Sequence, residues 1–306
     1  MLSFVLRRLA STIPTLFLVI TIAFFLIRLA PGGPFDLEQP LEAKVMENLR
    51  RIYQLDQPLW KQYTLYLGAL AQGDLGPSFY YRDFSVADLF AKALPISIRL
   101  GAAALTLALV IGLALGSLAA LRQNSIVDNL VVGVATFGLT VPTFVTAPLL
   151  QIIAGLWLKL LPVGGWNDGA IANTILPVAV LALPQIAVIA RLTRAAMIEA
   201  LHAPHIRTLR AQGLGPRIIL THALRSASLP VVSYLGPAAA ALLTGSIVVE
   251  TIFGIPGVGR YFIEGALNRD YTLVMGTVVL VAVFVILFNL AADIAYAILD
   301  PRVRYE

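Results

Sequence analysis

Long apolar stretches recur along the whole chain and are separated by short polar segments. Each stretch is close to the ~20 residues that an α-helix needs to cross roughly 30 Å of hydrocarbon. The first stretch follows Arg7 and Arg8 as a signal peptide would, but it is too long for the apolar part of one, so we expect it to remain as a helix. The pattern predicts an all-α integral membrane protein with about six spans, near residues 9–30, 99–121, 129–156, 172–191, 229–250 and 272–298.

Two of the predicted spans contain paired prolines. Pro142 and Pro148 lie in the third span, and Pro177 and Pro184 lie in the fourth. Proline has no N–H and clashes with the preceding turn, so neither span is expected to be a straight cylinder. Each proline has two interpretations, a break that lines a pathway or a kink that only serves packing.

Gly112 and Gly116 are four residues apart in the second predicted span. Small residues at this spacing lie on one face of a helix and let a neighbouring backbone approach closely. They predict a close helix–helix contact.

The long polar segment at 31–95 is predicted to form a small helical subdomain. Ser85 with Asp88 has the pattern of a capping box before a further helix. We leave open whether the subdomain only packs on the bundle or also contacts a partner. Two helical stripes carry the prediction, Leu41, Val45, Leu49 and Ile52, then Leu59, Tyr63, Tyr66, Leu67 and Leu70, with Pro40 and Pro58 near their starts.

Charge decides the orientation. Only 13% of the residues are charged, against about a quarter in soluble domains. Segment 31–93 has eight acids and six bases, whereas the segments on the other side carry few acids. By the positive-inside rule both termini are inside and segment 31–95 is outside, which accounts for the net charge of +5 without a nucleic-acid partner. The inner bases are Arg7, Arg8, Arg122, Arg191, Arg194, Arg207, Arg210, Arg217, Arg225, Arg302 and Arg304.

The inner segment at 191–228 is the strongest local signal. It is longer than a connection between adjacent spans needs to be, and it carries six arginines against one acid, Glu199. Pro204, Ile206 and Gly213 predict a short amphipathic helix that begins at proline and ends at glycine. Such a basic helix fits either a protein docking surface or a helix that lies on anionic lipid.

The sequence offers no chemistry for catalysis. It has no cysteine, no phosphate-binding Gly-x-x-x-x-Gly-Lys-Ser/Thr motif and no H-E-x-x-H pattern. His202 and His205 have a spacing that could hold a metal, but Glu199 is the only carboxylate nearby, so we predict polar residues and no metal. We therefore expect no catalytic residue and no cofactor, and any energy from ATP must come through another polypeptide.

Ionisable residues near span ends are the remaining candidates. Arg28 and Arg99 are expected to anchor helices at the interface, and Asp293 also lies near a span end. Glu250 has no basic neighbour and is expected to support the following turn by accepting backbone N–H groups. The predicted structural turn comprises Glu250, Gly254, Pro256, Gly257 and Gly259.

The inner segment resembles the permease signature of binding-protein-dependent ABC importers, in Glu199-Ala200-Leu201, then Gly213, then Leu229-Pro230. Arg207-Thr-Leu-Arg-Ala-Gln-Gly departs from the family pattern by lacking a lysine. Further motifs of the dipeptide and oligopeptide branch are Leu29-Ala-Pro-Gly, Gly73-Asp-Leu-Gly, the run from Gly245 to Gly259, Asn268-Arg-Asp-Tyr and Asp300-Pro-Arg-Val-Arg. Details that look most like the first permease subunit of an oligopeptide importer are Gly76-Pro-Ser-Phe, Leu161-Pro-Val-Gly-Gly-Trp-Asn and Ala266-Leu-Asn-Arg-Asp-Tyr.

The resemblance implies that residues 1–306 form one transmembrane domain of an importer in the bacterial inner membrane. Implied partners are a second homologous permease, two ATPase subunits that hold ATP and Mg²⁺, an external peptide-binding protein and the peptide itself. Dipeptide, glutathione or nickel transport on the same scaffold, or a non-transport membrane scaffold, are the alternatives. Residues implied in coupling to the ATPase are Glu199, Ala200, Arg207, Arg210, Gly213 and Pro230.

Overall fold

The computed structural model describes residues 2–30, 32–34, 46–47, 51, 53–81 and 83–299. These residues are almost wholly helical, which confirms the all-α fold class. The first predicted stripe of the outer segment with Pro40, and the terminal Asp300-Pro-Arg-Val-Arg motif, lie outside the described residues. The helices are α1 (Leu2–Leu29), α2 (Leu59–Ala71), α3 (Val86–Leu121), α4 (Ile126–Thr140), α5 (Thr143–Leu150), α6 (Ile171–His202), α7 (Pro204–Ala211), α8 (Pro216–Phe253), α9 (Val258–Leu267) and α10 (Tyr271–Leu299).

Six spans were predicted, and the helices agree with that number. Within the described residues, five helices are long and apolar enough to cross a bilayer, or six if the bent pair α4 and α5 counts as one span. The five are α1, α3, α6, α8 and α10. From the positive-inside orientation we call the end that carries α7 the inner end and the end that carries α2 the outer end.

The third span is broken where its first proline lies. Helix α4 ends at Thr140, Pro142 caps the start of α5, and the two axes differ by 104°. After α5 the chain continues as a π-helix at Gln151–Trp157. The fourth span differs, because α6 is helical without a break through Pro177 and Pro184. Helices α3, α4, α5 and α8 all pack on α6, and this packing outweighs a proline penalty of about 3 kcal/mol.

Helix α6 is the centre of the bundle, and the predicted glycine pair is where α3 meets it. A Cβ on Gly112 would lie 2.7 Å from Cγ2 of Ile189, and one on Gly116 would lie 2.5 Å from the carbonyl oxygen of Ala190. The two helices can approach this closely only because both positions lack a side chain.

The inner ends of the spans are longer than predicted. Helix α6 continues past residue 191 to His202, and α8 begins at Pro216 rather than near 229. The inner segment 191–228 is therefore mostly helix rather than a loop, because its apolar residues continue the helical stripes and pack on one another.

At the outer end, α2 packs on α1. The guanidinium of Arg28 lies 3.6 Å from the ring centre of Phe24, and its Nε donates to Oε1 of Gln62 at 3.0 Å. Tyr63 hydrogen-bonds Thr21 across the same contact at 2.6 Å. Arg28 thus holds two helices together instead of reaching to the membrane interface as expected.

Helix α3 begins outside the membrane at the predicted capping box. Asp88 N donates to Oγ of Ser85 at 3.1 Å, and Ser85 N donates to Oδ2 of Asp88 at 3.2 Å. Arg99 lies eleven residues after Asp88 in the same helix. Its guanidinium donates to the carbonyl of Gly169 at 2.9 Å, so Arg99, like Arg28, contacts another part of the protein.

Candidate docking site at the inner end and the contacts behind it

Helix α7 is a short amphipathic helix that lies across the inner end of the bundle. It begins with Pro204 in its first turn, where the missing N–H costs nothing. Ile206 is fully buried. It packs in an apolar cluster that joins four helices, whose other buried members are Ala120, Met197, Ala200, Ala223 and Ala227. This inner cluster means that a displacement of α7 is felt directly by α3, α6 and α8.

The accessible surface of α7 is basic. Arg207 and Arg210 are exposed, and so is Glu199 on the last turns of α6. Two guanidiniums on a helix whose apolar side is held by the bundle form a surface that can contact an acidic or hydrogen-bonding partner.

The turn after α7 depends on the conformation of Gly213. Its φ is +77°, in the region that favours glycine, and an added Cβ would meet nothing within 4 Å. The glycine is therefore needed for its backbone conformation and not for space.

The structure does not gather all of the residues assigned to coupling. Most of them lie in or next to α7. The helix itself contains Arg207 and Arg210, Glu199 precedes it, and Gly213 follows it. Ala200 is buried beneath it in the inner cluster. Pro230 lies inside α8, fourteen residues beyond its start at Pro216, which is roughly 21 Å along the helix axis. It follows Ala227 of the inner cluster by three residues, so its part in coupling stays a prediction.

The histidines near this surface are separate polar groups. His202 pairs its Nδ1 with the carbonyl of Ile198 at 2.7 Å, and His205 is exposed on α7. Among the described residues, no group of three His, Asp or Glu side chains is close enough to hold a metal ion.

One of the six inner arginines is not part of the exposed surface. Arg194, on α6, forms a two-pronged ion pair with Asp128 in the first turn of α4. Arg194 was predicted to be one of the inner bases, and its pairing with Asp128 was not expected. The available signal was that Asp128 lies three residues after Ser125 and so sits in a capped first turn that faces a basic segment.

At the outer end, Glu250 accepts hydrogen bonds from the turn that follows it. Its buried carboxylate accepts from Gly259 N at 2.8 Å and from Oγ of Ser97 at 2.6 Å. A Cβ on Gly257 would lie 2.4 Å from the carboxyl carbon of Glu250. Glu250 therefore ties α8 to α3 and to the start of α9.

The Gly/Pro turn is shorter than predicted. Gly254 ends α8 with φ +66°, and Pro256 lies in the connection. Gly259 is already in the first turn of α9, which begins at Val258, and a Cβ there would lie 2.3 Å from Cα of Ile247. The turn serves close packing.

Asp270 is a buried residue whose contacts the sequence did not indicate. Its Oδ2 accepts from Oγ of Ser78 at 2.5 Å, from Phe79 N at 2.9 Å and from Tyr80 N at 3.0 Å. Its Oδ1 accepts from Leu273 N at 3.0 Å in the first turn of α10. One carboxylate thus fixes the outer segment to α10, across more than 190 residues of sequence.

A second contact at the outer end involves α9. The Tyr81 hydroxyl donates to the Glu264 carboxylate, which also accepts from Arg260 one helical turn earlier at 2.7 Å. Burial, and then the hydrogen bond to Glu264, raise the pKa of Tyr81. The Arg260–Glu264 ion pair is accessible, with side-chain exposures of 52% and 25%.

The exposed face of α8 differs from the exposed face of α4. Helix α4 exposes mainly large apolar side chains that suit lipid, whereas α8 exposes mostly small and polar ones, together with Ile218 and Val248. Prolines on this face have no N–H, so the carbonyls four residues earlier lose their usual donor, which lipid cannot replace. We call the exposed face of α8 that carries these prolines the polar face of α8. Its residues are His222, Ser226, Pro230, Ser233, Pro237, Ala241 and Thr251. By comparison, the large exposed residues of α4 include Ile126, Leu130, Val134 and Phe137.

Comparison with known proteins gives two matching family models and full-length relatives. Residues 112–305 match the binding-protein-dependent transport system inner membrane component, and residues 1–100 match the N-terminal part of a membrane component of such systems. The oligopeptide transport system permease proteins OppB of Haemophilus influenzae and Escherichia coli are 52% and 53% identical over 306 residues, with 100% of both chains covered. The dipeptide transport system permease protein DppB of Bacillus subtilis is 40% identical over 305 residues, covering 99% of this chain and 98% of its own.

Proposed function

Since the chain belongs to the family of binding-protein-dependent transport system inner membrane components, we propose that it takes up oligopeptides as a permease subunit of an ATP-driven importer. It is a multi-pass inner-membrane protein. The greater identity to oligopeptide permeases than to the dipeptide permease supports the larger cargo. The observation that carries the proposal is α7, which is anchored by Ile206 and presents Arg207 and Arg210 outward.

We assign α7 to docking on an ATPase subunit. The complex would contain this chain, a second permease, two ATPase subunits with ATP and Mg²⁺, and an external binding protein. When ATP closes the ATPase pair, α7 moves with the ATPase, and the inner cluster passes the movement to α3, α6 and α8. Glu199, Arg207, Arg210 and Gly213 then act mechanically and electrostatically, without any chemical step in this chain.

We assign the polar face of α8 to the peptide pathway and the contact with the second permease. Carbonyls freed by Pro230 and Pro237 need water or protein donors, which a pathway supplies and lipid does not. Because the chain has no cysteine, single cysteines can be placed at Ser233 on this face and at Val134 on α4. A membrane-impermeant thiol reagent should modify the first much faster than the second, and equal rates would contradict the assignment.

The function is tested by uptake. The chain is reconstituted in proteoliposomes with the partner subunits and binding protein encoded beside it, and a graded series from di- to octapeptides is supplied with ATP. We expect ATP-dependent accumulation of peptides longer than two residues. Accumulation of dipeptides alone would assign the dipeptide branch, and no peptide uptake with an intact complex would contradict the proposal.

A further inference from the structure

The ion pair between Asp128 and Arg194 joins two spans at the inner end. Arg194 donates from Nε to Oδ1 of Asp128 at 2.5 Å and from Nη2 to Oδ2 at 2.7 Å. Asn124 N donates to the same Oδ2 at 2.9 Å. The Asp128 side chain is 2% exposed and that of Arg194 is 27% exposed, so the carboxylate is covered while the guanidinium reaches the surface.

The pair joins α6, which leads to the docking helix α7, to α4, which ends at the break before Pro142. Arg194 precedes Ala200 by six residues on α6, roughly 9 Å of helix, and Ala200 packs under α7 in the inner cluster. Asp128 begins α4, which runs without a break to Thr140. A rigid helix therefore leads from each partner of the pair, one to α7 and the other to the 104° bend.

The contact between α4 and α6 above the ion pair is apolar and borders an open groove. The groove has a volume of about 190 Å³ and is lined by residues that include Leu183 on α6 and the exposed Leu130 and Val134 on α4. Beyond the bend, α5 packs on α8 and α6. The ion pair is thus a fixed point between α4 and α6, while the apolar contact above it leaves room for the helices to change their angle.

We infer that the Asp128–Arg194 pair is a transmission link, which carries the displacement of α7 through α6 to α4 and so changes the bend at Val141 and Pro142. Both residues are positioning residues, because they act through helices and do not touch peptide or nucleotide. The inference rests on the proposed function. Its competitor is a static anchor, which would hold α4 in place without taking part in the cycle.

The two roles differ in the amount of peptide moved per ATP hydrolysed. We expect Asp128→Asn, in the complete reconstituted complex, to keep ATP hydrolysis within about threefold of the wild type and to lower peptide uptake at least tenfold. A combined Asp128→Asn and Arg194→Gln variant should be no worse than the single one, since the pair acts as a unit. The Arg260→Gln change, which breaks the accessible pair with Glu264 on the outer side and leaves the Tyr81–Glu264 bond in place, serves as control and should leave peptide per ATP unchanged.

Arg194→Lys is the control for misfolding, because lysine keeps the positive charge but cannot form the two-pronged ion pair. If Asp128→Asn does not assemble, this variant decides. Normal assembly with fewer peptides per ATP supports the link. Equal losses of hydrolysis and uptake, with peptide per ATP unchanged, would overturn it in favour of the anchor. Failure of the wild-type complex to take up any peptide would instead reject the proposed function, so the two failures are distinguishable.

Discussion

Replacing Ile206 by alanine removes three carbon atoms from the only residue of α7 that is fully buried. At about 0.8 kcal/mol per methylene, the lost transfer free energy is about 2.4 kcal/mol. The void adds to this, because the neighbours in the inner cluster come from three other helices that cannot all move in. The total should therefore lie between about 2.4 kcal/mol and the upper limit of roughly 5 kcal/mol for such truncations. Since 1.4 kcal/mol is a factor of ten, α7 would be held in place at least roughly 50-fold less firmly.

The assay is peptide uptake and ATP hydrolysis by the complete complex in proteoliposomes. Ile206→Ala should hydrolyse ATP and take up little peptide, since a loosened α7 can move with the ATPase without moving the spans. Ile22→Ala is the matched control, because Ile22 is 50% exposed on α1 and its truncation creates no enclosed void. Wild-type uptake per ATP in Ile206→Ala would refute the reasoning that the inner cluster transmits the movement.

Three further changes test particular contacts. Gly213→Ala should lower the stability of the α7–α8 turn by about 1–2 kcal/mol and reduce coupled uptake. Gly215→Ala is the control, because Gly215 has φ −66° and equal space around it, and it should have neither effect. Equal effects of the two changes would show that the positive φ of Gly213 is not what matters. Gly116→Ala should lower the thermal midpoint in detergent by forcing α3 from α6, while Gly101→Ala, with nothing within 4 Å, should leave it unchanged. Asp270→Ala should make the outer segment before α3 a target for added protease, because three donors lose their acceptor; unchanged digestion would contradict its fixing role.

Sequence patterns predicted the features that depend on local physical chemistry. The number of spans, the capping box at Ser85, the close contact at Gly116 and the short helix from Pro204 to the glycine turn each follow from a few neighbouring residues. The break at Pro142 was also expected, whereas Pro177 lies inside an unbroken helix, so the same residue type gave two outcomes that the sequence did not distinguish.

Contacts between distant residues could not be derived in this way. Asp128 meets Arg194 across 66 residues, and Asp270 meets Ser78 across 192. Each carboxylate looked like an ordinary charged residue at a helix end, and only the folded bundle brings its donors together. Pro230 is a different case, since its place in a family motif suggested coupling, and it lies within α8, fourteen residues after the helix begins.

The docking of α7 on an ATPase is the central claim, and cross-linking tests it most directly. Because the chain has no cysteine, His205→Cys on α7 provides a single thiol that can carry a photoreactive reagent. Illumination of the assembled complex should link this chain to the P-loop ATPase subunit, and Leu65→Cys on α2 at the outer end should not. Labelling of lipid alone from His205→Cys, in a complex that contains the ATPase, would contradict the account and favour a helix that lies on the bilayer.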